Sequence, residues 1–143
     1  MRRATLVLVA LAMVLTSVIA MAQSEKGDRK WNPEAAKVKN PVAVSPESIA
    51  AGEAIYMRRC RACHGKEGTG GNPKDAGSEP PSNLVDREWT FGQTDGEIFY
   101  VIRNGVGPAF EMEPWDDRLS ETDTWNVVNF LRDLAKRAPA SQQ

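Results

Sequence analysis

Two cysteines and the only histidine of a 143-residue chain stand within five positions, as Cys60-Arg61-Ala62-Cys63-His64. Cys-x-x-Cys-His is the attachment pattern of c-type haem, in which each thiol adds across a porphyrin vinyl group and the histidine ligates the iron. Positions i and i+3 of a helix share a face, so both sulfurs reach one edge of the macrocycle. Duller readings exist for the pair alone. A structural zinc site usually takes four ligands, and Cys60, Cys63 and His64 are all the cysteine and histidine there is. A thioredoxin-like redox pair expects a βαβ surround, and no such pattern is visible. A plain disulfide remains open, but it leaves the adjoining histidine unexplained.

The N-terminus reads as an export signal. Arg2 and Arg3 are followed by an apolar stretch to Ile19, and Ala20-Met21-Ala22 offers small residues around a cut before Gln23. Residues 1–22 are therefore expected to be a signal peptide and the protein periplasmic. Retention of the segment as a membrane anchor is the alternative, because its length lies near the lower limit for a span. Without those residues the chain has 16 Lys and Arg against 19 Asp and Glu. That balance excludes a generic nucleic-acid binder, which needs a net basic footprint. Arg58, Arg59, Arg61 and Lys66 crowd the cysteine motif, whereas Glu111, Glu113, Asp116 and Asp117 crowd a later segment. Such a separation is either a dipole that orients a partner or ordinary solvated charge.

Residues 23–44 are polar, with Pro33 and Pro41 and no apolar period, and predict an extended arm or linker that also contains Trp31. Ser45-Pro46-Glu47 then opens a helix, with a serine cap, proline at its first position and an acid in its first turn. Ile49, Gly52, Ile55, Tyr56 and Arg59 follow at helical spacing and deliver the chain to Cys60. Five glycines and three prolines between Gly65 and Pro81 predict a loop. Thr94 and Glu97 form a capping box before Ile98, Val101 and Ile102, and Asn104-Gly105 ends that helix. Ser120 caps a last helix whose inner face is Val127, Val128, Phe130, Leu131 and Leu134, with Lys136 and Arg137 in its final turn and Pro139 stopping it. No period-two run appears, so the predicted class is all-α. The domain is placed at residues 45–138, followed by a short tail at 139–143.

An iron ligated by His64 needs its other face filled, and no second histidine is available. Outside the signal only Met57 and Met112 remain as thioether donors. Met57 lies on the helix that ends at Cys60, so it stays on the proximal side. Met112 follows His64 by 48 positions, in a loop between Phe110 and Pro114, far enough to cross the ring. Its alternative use is as a gap-filler in the core. Histidine/methionine ligation favours ferrous iron and leaves no vacant position for a substrate.

Together these residues resemble a class I cytochrome c over about residues 45–137. The resemblance rests on Gly52 and Tyr56, on Cys60-Arg61-Ala62-Cys63-His64-Gly65, on Pro81-Ser82-Asn83-Leu84, on Met112, and on Val127 with Phe130. It implies a small cytochrome c fold of three to four helices around one haem c held by two thioethers. It further implies that Gly52 lets the first and last helices cross against Phe130. Pro81 would give its carbonyl to the second nitrogen of His64, which would fix the ring and strengthen the donor. Glu113 stands where many members have proline. If held near the haem, Glu111 and Glu113 would lower the potential, and if solvated they would matter little. Trp89 and Trp115 would be either core aromatics or neighbours of the haem edge.

The expected function is that of an exported, monomeric, non-enzymatic electron carrier that docks transiently on redox protein partners. Two alternatives follow: the cytochrome subunit of a periplasmic dehydrogenase complex, and a haem sensor or peroxidase-like protein whose methionine dissociates.

Overall fold

The computed structural model describes residues 32–71, 80–86, 88–107 and 112–142. The expected signal peptide, Trp31, Phe110 and Glu111 lie outside them. Among the described residues the regular structure is helical, with one isolated bridge between Val106 and Met112. The α-helices are α1 (Pro46–Arg59), α2 (Arg61–His64), α3 (Asp95–Asn104) and α4 (Glu121–Arg137), and short 3-10 helices cover Pro33–Lys37 and Ala140–Gln142. The last of these gives the predicted C-terminal tail a turn of its own.

Each long helix begins where its local chemistry dictates. Ser45, Thr94 and Ser120 all sit in extended backbone and accept a bond from the amide three residues on. In each case the side chain of that third residue reaches back to the cap amide, so two orphan N–H groups are satisfied reciprocally. For α1 the returning group is Ser48, a weaker variant of the usual glutamate.

The core forms where α1 crosses α4. Gly52 makes the crossing possible, since a Cβ there would overlap the Asn126 carbonyl and lie 2.8 Å from the Phe130 Cβ. Tyr56, one turn later, is fully buried with its ring 5.2 Å from that of Phe130. Ile55, Val127, Val128, Leu131 and Leu134 complete this layer, and Ile98 and Ile102 of α3 close it from the side. Phe99 stacks on Trp125 at 4.0 Å and extends the apolar seam between α3 and α4.

The segment expected as an extended arm does not behave as one from residue 32 onward. Its 3-10 turn lies on α3, where Gly96 has no side chain to collide with the Ala35 and Val38 carbonyls. Ala35 is buried. The stretch after it is fastened by Asn129, which is 1 % exposed in the middle of α4. The Asn129 amide donates to the Val42 and Ala43 carbonyls and to Ser48 Oγ, and its oxygen accepts from Asn40 Nδ2 at 2.8 Å. The packed unit therefore starts before Ser45.

Asn129→Leu keeps the volume but orphans two carbonyls and an amide, each costing roughly 1 kcal/mol or more when buried. The expected result is a loss of about 2–3 kcal/mol in urea unfolding. Limited proteolysis should newly cut between Val38 and Val44.

Candidate functional site

At Cys60 the chain leaves α1 with its amide still bonded to the Tyr56 carbonyl, then turns into the single-turn helix α2. Cys60 and Cys63 form no disulfide, and they differ in setting, Cys60 half-buried and Cys63 exposed. Burial, reinforced by Cys63, pushes the Cys60 thiol up to about 11, so it stays protonated at neutral pH.

Gly65 ends α2 at φ 79°, ψ 163°, a region that is essentially restricted to glycine. Tyr56 reaches it from below, donating its hydroxyl to the Gly65 carbonyl at 2.8 Å. Desolvation raises the pKa of that phenol, so it is a donor across the working range. The glycine-rich loop then folds back over the motif. The Gly70 amide donates to the His64 carbonyl at 3.1 Å, and a Cβ at Gly71 would overlap the Cys63 carbonyl.

His64 Nδ1 lies 3.1 Å from the Ser82 carbonyl. A carbonyl can only accept, so Nδ1 carries the proton and Nε2 is left as the lone-pair donor. Burial lowers the His64 pKa, with the Ser82 bond opposing it, and this favours the neutral, ligating ring. The partner expected from the sequence was Pro81, and that assignment is corrected by one residue. The Pro81 carbonyl instead faces Gly70, where a Cβ would come within 2.8 Å of it. A backbone acceptor has no side-chain signature, and two consecutive prolines gave the choice no register. Leu84 N donates to the Gly68 carbonyl at 2.7 Å, which ties this stretch to the glycine-rich loop.

Met112 is half-buried and packs against the core. Its carbonyl accepts from the Val106 amide at 2.8 Å. Glu113, which follows it, is exposed and paired with Arg118 at 3.0 Å. Arg118 also lies over the Trp115 ring, 5.2 Å from its centroid. Trp89 donates its indole N–H to the Asp86 carbonyl at 3.0 Å, and both tryptophans pack on the core. Met57 is likewise a half-buried core neighbour on α1. An open cleft of about 420 Å³ lies beside Val85, Trp89, Ile98 and Leu131, with Arg132 and Lys136 among its lining residues.

The matching family model spans residues 47–131 and describes cytochrome c oxidase, cbb3-type, subunit III. The chain belongs to that family. Its relatives include subunit CcoP of the cbb3-type oxidase of Cereibacter sphaeroides, 35 % identical over 88 residues, which are 59 % of this chain and 27 % of the relative. The chain thus spans about a quarter of the length of that subunit. Cytochrome c6 of Cladophora glomerata is 31 % identical over 93 residues, covering 64 % of this chain and 94 % of the relative. The fold is shared with cytochrome cL of Methylophaga aminisulfidivorans at a TM-score of 0.51 and 24 % identity, over 72 % of this chain and 66 % of that one. It is also shared with a chain of the reducing HAO-like protein complex of Kuenenia stuttgartiensis, at a TM-score of 0.57 and 23 % identity, over 68 % and 49 %.

The domain is therefore a class I c-type cytochrome with the small all-α fold read from its sequence, and its family role is electron transfer. The residues present fit the haem c that this family implies. Two free thiols flank one turn, and the adjacent imidazole has its outer nitrogen committed to a carbonyl. Asn129, and the role of the Ser82 carbonyl as the partner of His64, escaped the sequence reading. For Asn129 a signal existed, a lone amide between Val128 and Phe130 on the inner face of α4.

Proposed function

We propose that this domain holds a single haem, tethered through thioethers by Cys60 and Cys63 and ligated by His64 and Met112. It serves as an exported one-electron carrier between redox proteins. The observation that carries this reading is the His64 Nδ1–Ser82 bond, which presents a neutral Nε2 in a fixed ring orientation. When bound, the haem supplies an iron that alternates between ferrous and ferric.

The protein's own residues make that alternation easy. The Ser82 carbonyl holds the His64 ring, and Tyr56 and the Gly70 amide pin the Gly65 and His64 carbonyls beside it, so the ring would keep its orientation as the charge changes. Met112 supplies a neutral, soft sulfur that favours the reduced form. With His64 and Met112 both bound to it, the iron would offer no position to oxygen or substrate. Glu113 sits beside the methionine, but Arg118 balances its charge at the surface, so its effect on the potential is screened. Arg58, Arg59 and Arg61 stay exposed around the exposed Cys63 and favour a partner with an acidic docking face.

Met112→Ala is expected to open the sixth position. The ferrous protein should then bind carbon monoxide, which the parent should not. The potential should fall by roughly 0.1 V, a fraction of the ~0.8 V span that axial ligation commands. Unchanged spectra and no carbon monoxide binding would remove Met112 from the iron.

A second reading is favoured by the relatives named as subunits of larger assemblies. In it the domain works within a redox complex. Gel filtration of native extracts separates the two, since a carrier elutes near its own mass and a subunit elutes with its catalytic chain. Among the described residues no helix is long and apolar enough to cross a membrane.

A further inference from the structure

The segment that bears Met112 is fastened to the C-terminal end of α3. Val106 N donates to the Met112 carbonyl at 2.8 Å, and Trp115 N donates to the Ile102 carbonyl at 3.1 Å, one of the orphan acceptors at the end of that helix. Arg103 Nη1 adds a bond of 2.7 Å to the Leu119 carbonyl. The backbone of residues 112–115 comes so close at one point that only a hydrogen atom fits. That point is Gly105, where a Cβ would overlap the Met112 carbonyl oxygen and lie 2.8 Å from Pro114 N and 3.0 Å from the Glu113 carbonyl carbon. Gly105 also caps α3 at φ 71°, ψ −177°, which any other residue enters only with strain. The two demands are independent, one on the conformation of Gly105 itself and one on the space beside it.

We propose that Gly105 is a positioning residue for the axial methionine. Its missing side chain sets how deeply the Met112 backbone seats against α3, and so whether the sulfur reaches the iron without strain. This inference rests on Met112 being the ligand. Gly65 makes an analogous demand next to His64, since it too caps a helix in the glycine-only region. Each ligand thus has beside it a helix-ending glycine that no other residue replaces without strain. Gly105 differs in acting on a ligand distant in sequence, with which it shares no helix.

Gly107 provides an internal control. It lies two residues further along the same loop, and a Cβ there meets nothing within 4 Å. The experiment compares holoprotein carrying Gly105→Ala, Gly107→Ala or Met112→Ala. For each, the ferric thioether-to-iron charge-transfer band, the reduction potential and carbon monoxide binding to the ferrous form are measured. Gly105→Ala is expected to weaken the band, lower the potential and let the ferrous form bind carbon monoxide at concentrations about tenfold or more below any at which the parent responds, as the methionine-off population grows. Covalent haem should stay at the parental level, and Gly107→Ala should match the parent throughout.

A Gly105→Ala protein with the band, potential and carbon monoxide response of the parent would overturn the proposal, provided Met112→Ala abolishes the band. If Met112→Ala also leaves all three unchanged, the ligand assignment itself has failed and the proposal falls with it. Should Gly105→Ala yield no folded holoprotein, Val106→Pro removes the amide that holds the Met112 carbonyl and adds nothing at position 105. It should shift the same three readouts in the same direction, and a parental result there would count against the proposal.

Discussion

Replacing Cys60 and Cys63 together with serine is expected to abolish covalent haem, so that a denaturing gel stained for haem peroxidase activity shows none on the chain. Single replacements should leave one thioether and a reduced signal. The loss should be larger for stability than for the fold's outline. A tethered haem stays attached next to His64 even when the chain opens, so its contribution does not depend on concentration. Once untethered, its contribution falls to RT ln(1 + [L]/Kd), which vanishes as free haem is diluted. The double variant should therefore melt at a temperature that rises with added haem, whereas the parent melts independently of it. Chain-bound haem surviving acid–acetone extraction in the double variant would place the attachment elsewhere.

Gly52→Ala should be strongly destabilising although it adds a single methyl group. In an exposed helix the same change gains about 1 kcal/mol, because alanine is the better helix former. Here the new Cβ would overlap the Asn126 carbonyl and press on Phe130. Neither can retreat, since Phe130 is fully buried and Asn126 O is helix backbone. Overpacking of this kind costs about 3 kcal/mol, so the steric cost outweighs the propensity gain. The expected net effect is a melting temperature lower by roughly 10 °C. A stability equal to or above the parent's would mean that α1 and α4 do not cross at Gly52.

What was legible in the sequence and what was not divide along a physical line. Ser45, Thr94 and Ser120 announced their helices because a cap and the residues that support it lie within three positions, within reach of any local reading. Gly52, Tyr56 and Phe130 were legible through the pattern the chain shares with cytochromes, and the structure places them at one crossing. The docking of residues 32–44 was not legible. Its hold is polar and long-range, from Asn129 to backbone carbonyls more than eighty positions away, and it leaves no apolar period. The partner of His64 failed for a related reason, because a carbonyl of any residue serves and only the loop's course selects Ser82. Gly105 was read as a helix stop, which it is. Its second demand, room for the Met112 backbone, arises only in three dimensions. For Trp89 the structure gives the indole N–H to the Asp86 carbonyl, so the ring's visible role is packing.

We propose that Cys60, Cys63, His64 and Met112 hold one haem with both axial positions filled. Absorption spectra of the purified holoprotein in both oxidation states, with and without carbon monoxide, test it most directly. The expected result is a low-spin haem in each state, the thioether-to-iron charge-transfer band in the ferric form, and no change when carbon monoxide meets the ferrous form. A high-spin ferric spectrum with prompt carbon monoxide binding would contradict it, leaving the haem in place but its sixth position open to ligand sensing or peroxide chemistry.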